Sequence, residues 1–487
     1  MIRFRIIISI LGSIIKGFAL LMIFPLITAL IAKQYNSALA FTICIVASSL
    51  FGFFSKKLNS DKNFDDLTRI EGIAVVVSSW LSVSLAGAIP YIYLGMSPID
   101  AFFESISGFT TTGATIISDF TKFNSSLYWY RSYTQWLGGM GIMVLFVAVM
   151  PHLAISGRQL FYAETSSASK EKLTPRIADT ARHLWSWYCL LTIIMIFALM
   201  LVGMPANDAV SNSFSTLAAG GFSPNPQSIM GYNNTKAEWI IIFFMFLAGA
   251  NFMLQVKTLR TNKIDFFKNP EFRLYTFLLV SLSFILAVML FYNKIGGETF
   301  IDNLRIALFQ NISITTTTGS ATANFDIWPE AAKAILVIFM MIGGCSGSAG
   351  GGIKVIRVLI LLKYLQKTLL KNIYPQAVIT IQLENRTIKE SEIHPIITFI
   401  AMYFMFFFIG GTLVSIIENN YIIGYSGAIA TLGNIGPGFA AIGPMGSFAD
   451  LSGCSKLIFS FLMWAGRLEI MAIAIFMRKE IWQNASW

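Results

Sequence analysis

Charge is what this chain has least of. Only 12% of its 487 residues are Asp, Glu, Lys or Arg, about half the share usual in globular proteins. A soluble fold of this length needs a charged surface, and a disordered chain needs more charge still, so both classes are excluded. Histidine is nearly missing: His152, His183 and His394 are the whole supply. They lie near the ends of apolar runs, with neither His-Glu-x-x-His nor a nucleophile elbow, so an enzyme is not expected. The four cysteines, Cys44, Cys189, Cys345 and Cys454, keep no metal or redox spacing. They read as small buried residues and not as a disulfide framework.

What fills the chain instead is apolar: 55% of it, with 42 Phe, 10 Trp and 21 Met. A span takes roughly 20 apolar residues to cross about 30 Å of hydrocarbon, which leaves room for about ten. The net charge of +10 is spread in short basic runs between apolar stretches, without the aromatic-interleaved face of a nucleic-acid binder, and reads as a topology signal. The N-terminus mimics a signal peptide, with Arg3 and Arg5 ahead of an apolar run. It continues through Lys16 and Gly17 to Ala32 without a small-x-small site, predicting an uncleaved first span over 6–31 and a second over 38–54. Lys16 either snorkels to the cytoplasmic interface, the reading preferred, or pairs within the bundle.

Beyond residue 70 one pattern recurs four times: a long apolar run, a short run ending in small and hydroxyl residues around a glycine, then another long run. The first unit comprises 72–94, 100–113 and 128–150; the second 184–204, 208–221 and 239–256. The third comprises 274–292, 301–319 and 331 onward; the fourth 396–417, 424–436 and 457–477. Gly113, Gly221, Gly319 and Gly436 recur about every 100 residues, a period of internal repetition. The middle runs are too short to span, and non-helical backbone at membrane depth survives only where it is buried in protein or lines a wet cavity. Four such loops predict one shared pore.

Most basic residues fall before the first span, in 55–71, 151–183, 257–273 and 354–389, and after 477. The opposite side holds few: Lys33, Lys122, Arg131, Lys236, Lys294, Arg305, Lys333 and Lys456. Both termini are therefore expected in the cytoplasm, with all four loops dipping from outside. Inverted repeats would alternate; these are parallel. The expected fold is all-α and polytopic: an N-terminal transmembrane hairpin (1–69) and four repeats (70–183, 184–273, 274–394, 395–487) with pseudo-fourfold symmetry around one pore, about ten spans and four re-entrant half-helices.

The loops carry no charge, which argues against a carboxylate filter. They offer backbone carbonyls at Thr111, Thr112 and Gly113; Ala219, Gly220 and Gly221; Thr317, Thr318 and Gly319; and Asn434, Ile435 and Gly436. Glycine turns such a strand without a Cβ penalty. Rings of carbonyl dipoles replace the hydration of a weakly hydrated cation such as K⁺, and the half-helices' carboxyl ends favour cations below the filter. Asp100, Glu104, Asp119, Asp302, Asp326 and Asp450 flank the mouths, either concentrating cations or simply facing solvent.

These loops resemble the four filter segments of the Trk/Ktr/HKT superfamily of potassium transport proteins. So do Gln135-Trp-Leu-Gly-Gly-Met-Gly-Ile142, Gly343-Gly-Cys-Ser-Gly-Ser-Ala-Gly-Gly-Gly-Ile-Lys354 and Gly466-Arg-Leu-Glu469. The extra hairpin and the length point to the bacterial Trk type (TrkH or TrkG) over the shorter Ktr type. The resemblance implies potassium uptake across the bacterial inner membrane, preference for K⁺ where all four central positions are glycine, and a homodimer. It also implies a TrkA-like cytoplasmic regulatory ring that binds the NAD or ATP, this chain having no organic cofactor of its own. The second loop departs from the hydroxyl pattern with Ala218 and Ala219, which leaves its carbonyls intact and puts any side-chain site there in doubt.

The run Gly343, Gly344, Cys345, Ser346, Gly347, Ser348, Ala349, Gly350, Gly351, Gly352 cannot hold a stable helix. It is expected to form an irregular gating loop under the filter, in preference to a helix kept intact by tight packing of small residues, with Lys354 and Arg357 following. Arg467, mid-span, is either an electrostatic barrier near the axis, the role the resemblance favours, or an ion-pair partner of Glu469 or another buried acid. The competing mechanism is K⁺ symport with H⁺ or Na⁺. Mid-span ionisable residues are few (Lys16, Arg467, Glu469), and none looks like a carboxylate relay.

Overall fold

The computed structural model describes residues 2–57, 68–139, 141, 177–261, 265–383, 386–482 and 485–486. The architecture is helical, with two small strand pairs: Ile2–Arg3 beside Ala485–Ser486, and Ile381–Leu383 antiparallel to Arg386–Ile388. Six helices are long and apolar enough to cross a membrane: Phe4–Ile31, Tyr35–Lys57, Ile70–Tyr93, Asp179–Leu201, Pro270–Asn293 and Glu390–Glu418. Two bent pairs raise the number to eight among the described residues. This is a multi-pass membrane protein. Two further runs separate eight from the ten expected. The run at 128–150 passes outside the described residues after 139, apart from 141, and the one starting at 331 is interrupted. The expected basic stretches at 55–71 and 151–183 likewise lie largely outside the described residues.

The hairpin packs through glycine. A Cβ on Gly12 would strike the Ser55 hydroxyl, and one on Gly52 would lie 2.7 Å from the Gly12 carbonyl oxygen, the close approach that small residues permit between membrane helices. Lys16 is exposed, as the snorkelling reading requires. Thr68 and Glu71 form a capping box at the head of the next span, and Arg3 Nε holds the buried Glu71 carboxylate at 2.9 Å.

Four short helices follow four of the long ones: Pro98–Phe109, Ala206–Leu217, Phe300–Thr315 and Tyr421–Leu432. At about 1.5 Å per residue none reaches across the hydrocarbon. Ser97, Thr299 and Asn420 cap three of them, and Asp100, Asp208 and Asp302 sit in first turns, where the helix dipole favours an acid. From mid-length onward all four are buried.

In the second and fourth units the second long run is not the continuous helix expected at 239–256 and 457–477. Thr235–Gly249 turns by 98° into Phe252–Leu259, and Gly453–Arg467 turns by 110° into Ile470–Phe476. The first break arises because the Ala248 and Gly249 carbonyls accept from Ala349 N–H (3.1 Å) and Cys345 N–H (2.8 Å) of the glycine-rich run. The second passes through Glu469, left-handed at φ 55°, whose carboxylate is held by Arg357 Nη2 at 2.7 Å. Of the cysteines, Cys44 and Cys345 are buried as expected. Cys189 is half-buried and Cys454 exposed, because each lies on the outward side of its helix.

Candidate ion pathway

Each short helix ends four residues before its glycine, and all four end alike. The N–H of Thr112 reaches back to the Ser107 carbonyl (2.9 Å) and that of Thr111 to Gly108 (3.0 Å). The same pair of bonds joins Gly220 and Ala219 to Ser215 and Thr216, Thr318 and Thr317 to Ser313 and Ile314, and Ile435 and Asn434 to Ala430 and Thr431. This is the Schellman cap, which demands one left-handed residue. Here that residue is never glycine: Thr111, Ala219, Thr317 and Asn434 hold φ of 54°, 56°, 58° and 55°. Two positions later Gly113, Gly221, Gly319 and Gly436 are left-handed again, at 82°, 77°, 74° and 105°. Sequence reading anticipated the second left-handed position and missed the first, since Thr and Ala give no such signal.

The loops touch in cyclic order. A Cβ on Gly113 would collide with the Gly220 carbonyl oxygen, one on Gly221 with that of Thr318, and one on Gly319 with that of Ile435. One on Gly436 would lie 2.7 Å from the Thr112 oxygen. Each contact runs from a central glycine to the carbonyl just before the next. A cavity of about 670 Å³ opens over the four loops, with all four central glycines in its wall.

The braces behind the strands differ. In the first loop the Ser107 hydroxyl donates to the Ala114 carbonyl (2.6 Å) and Thr110 meets Thr112 (2.8 Å); in the third, Ser313 donates to Ser320 (2.6 Å) and Thr316 meets Thr318 (2.8 Å). In the second loop, Gln135 Nε2 donates to the Gly220 carbonyl (2.6 Å) and its Oε1 accepts from Phe222 N–H (3.0 Å). In the fourth, Asn434 Nδ2 donates to Thr112 Oγ1 and to the Met463 carbonyl, both at 2.9 Å.

Beneath the loops lies the glycine-rich run, irregular as expected between Glu330–Met341 and Val355–Ile373. Gly351 N–H donates to Thr317 Oγ1 (2.7 Å), and a Cβ on Gly350 would lie 2.7 Å from the Thr316 oxygen. The run is anchored by Glu271, missed in the sequence, whose Oε1 accepts from Ser346 N–H (2.6 Å) and Ile356 N–H (3.2 Å). Lys354 Nζ donates to the Gly350 carbonyl. Arg467 Nη1 donates to Ala349 O (2.8 Å), and Nη2 to Gly138 O (2.6 Å) and Gly139 O (3.0 Å). Glu469, one of the acids considered as an alternative ion-pair partner for Arg467, binds Arg357.

Most of the acids placed at the mouths turn inward to partners. Glu104 is fully buried against Arg131 Nε (2.7 Å) and also accepts from Ile116 N–H (2.9 Å). Asp100 binds Lys456 Nζ (2.6 Å), Asp302 faces Arg305 (3.5 Å), and Asp326 accepts from Ala440 N–H (3.0 Å). Asp119 stays exposed, its carboxyl held below the ordinary carboxylate range by the Thr121 hydroxyl and N–H. Asp450 lines the cavity. Arginines, Lys456 and a backbone N–H claim the others, so the mouth is less acidic than composition suggested.

With this geometry in place, a model of the TrkH family, described as cation transport protein, matches residues 33–487. The chain belongs to the TrkH family. Among relatives, the Trk system potassium uptake protein TrkH of Salmonella typhimurium is 34% identical over 487 residues, covering 99% of this chain and 100% of that protein. The Trk system potassium uptake protein TrkG of Escherichia coli K12 is 31% identical, with 99% of each covered. The crystal structure of the potassium transporter TrkH from Vibrio parahaemolyticus superposes with a TM-score of 0.88 at 32% identity, over 98% of this chain and 99% of that one. The chain thus shares that structure's fold over nearly its whole length.

Proposed function

We propose that the chain takes up K⁺ across the bacterial inner membrane, both termini cytoplasmic, through a filter of backbone carbonyls at the twelve loop positions named above. In this reading residues 1–69 form a transmembrane hairpin, and 70–183, 184–273, 274–394 and 395–487 form four parallel repeats around one pore. One observation carries it: four identical helix caps meet in cyclic contact, with four glycines in the wall of one cavity. Uncharged carbonyl rings suit a weakly hydrated monovalent cation, and the similar proteins bear potassium uptake names.

The run 343–352 is the gate, steadied by Lys354 and Arg467, whose guanidinium adds a cationic barrier below the filter. A channel-like flux is favoured over coupled symport because Glu104, Glu271 and Glu469, in the protein around and beneath the loops, are each committed to partners. The helix Val355–Ile373 continues directly from the gate and exposes Leu362, Leu365, Leu369 and Ile373. That surface suits a TrkA-like nucleotide-binding ring, and a homodimer completes the assembly. Expression in a potassium-uptake-deficient bacterium on low-K⁺ medium, with the regulatory partner, tests the reading: the intact chain restores growth and Gly113→Ser does not. Absence of rescue by the intact chain contradicts it.

A further inference from the structure

The second loop lacks the hydroxyls that brace the first and third. Where Thr110 meets Thr112 and Thr316 meets Thr318, it has Ala218 and Gly220. Ser215, the counterpart of Ser107 and Ser313, turns back to the Ser211 carbonyl (3.1 Å) and leaves its strand unsupported. A side chain from another element takes up that task. Gln135 is fully buried on the helix Ser125–Gly139. It donates to the carbonyl before Gly221 and accepts from the N–H after it, so one amide grips the strand on both sides of its central glycine. The fit is close: a Cβ on Gly220 would lie 2.5 Å from the Gln135 amide carbon. Gly220 therefore leaves room for Gln135, and Gln135 supplies what a threonine at 220 would have supplied from within the strand.

We propose that Gln135 is a specificity-determining positioning residue, which sets the orientation of the Gly220 carbonyl and so the discrimination of this quarter of the ring. The proposal rests on the potassium-filter reading. Its logic is dipolar: a carbonyl swings about the bonds of its peptide plane, and a strand with glycine at two successive positions resists that swing least. An N–H donor at 2.6 Å restrains it. A loosened carbonyl contracts around a smaller ion and lowers the advantage of the larger one.

The full chain in proteoliposomes, with K⁺ and Na⁺ fluxes measured separately, tests this. Gln135→Met, similar in volume but unable to hydrogen-bond, is expected to lower the K⁺/Na⁺ flux ratio at least tenfold while Na⁺ flux persists or rises. Gln135→Leu, which likewise lacks both donor and acceptor, should fall similarly. It carries the test if Gln135→Met is not recovered as monodisperse protein. Gly220→Thr alone should be inactive by collision, whereas Gln135→Ala with Ala218→Thr and Gly220→Thr, which installs the hydroxyl pair of the first and third loops, should recover much of the ratio. Rescue of selectivity is a readout that packing alone would not give. A wild-type ratio in folded Gln135→Met or Gln135→Leu overturns the proposal and leaves the filter reading standing. An intact chain without K⁺-selective flux overturns both.

Discussion

Thr111, Ala219, Thr317 and Asn434 hold the left-handed conformation that glycine would adopt more cheaply, and they do so at the exits of four buried helices. Strain of this kind costs on the order of 1–3 kcal/mol per residue and persists only where surroundings over-determine it. At two positions the side chain has a reason to be there: Thr317 Oγ1 accepts from the loop beneath, and Asn434 ties the fourth strand to the first. Ala219 has none, so Ala219→Gly is expected to raise stability by about 1 kcal/mol. Thermal unfolding in detergent measures it. Two positions on, the requirement reverses. Gly319→Ala places a methyl on the Ile435 carbonyl and should abolish selective flux at normal protein levels, read as ion uptake into vesicles. The central glycines were legible in sequence because they recur with their flanks; the strained positions were not, because a cap's handedness is imposed by the helix before it and its residue type is free.

The glycine-rich run and the helix ends around it behave as one element. Arg467 gathers carbonyls from that run and from Gly138 and Gly139, the tip of the helix that also bears Gln135. Arg467→Ala should therefore increase flux and, by freeing that tip, also reduce discrimination; paired flux and selectivity measurements in liposomes check both. Glu271 holds the run at two amides ten residues apart in the chain, Ser346 and Ile356. Glu271→Ala removes the carboxylate acceptor of both N–H groups, a cost of about 1–3 kcal/mol for each bond lost. It is expected to raise basal flux and hasten proteolysis within 343–352, followed by limited digestion. The interruption itself was readable from ten consecutive small residues. The bends at Ala250-Asn251 and Leu468-Glu469 were hidden inside apolar runs that satisfy every length criterion for a span, although Gly249 and Gly466 marked where each helix ends. Glu271 looked like an ordinary first-turn acid after Asn269-Pro270, and nothing local pointed it at a segment 75 residues away.

At the scale of the molecule, what sequence conveyed was periodicity: apolar runs give the helices, and repeated loops give the number of elements that converge. It could not convey the seams, because those join residues hundreds of positions apart by chemistry that differs each time. Asp100 and Lys456, 356 residues apart, close the circle between first and last units at 2.6 Å, where Lys456 also donates to the Ala449 carbonyl. Lys456→Met should cost about 2 kcal/mol of stability by stranding a half-buried carboxylate, with Asp100→Asn in the same chain recovering part of it. A double-mutant cycle on unfolding midpoints gives the coupling.

Because a single polypeptide supplies every wall of the cavity, any substitution falls on one side only. An assembly of identical subunits would repeat each change all the way round and so could not sample the intermediate cases. Here each side can drift alone, and a hydroxyl given up in one place can be exchanged for an amide borrowed from a neighbouring helix. Conduction then depends on the slackest of four unequal walls, which makes graded, non-lethal variation the natural route by which such a molecule is tuned.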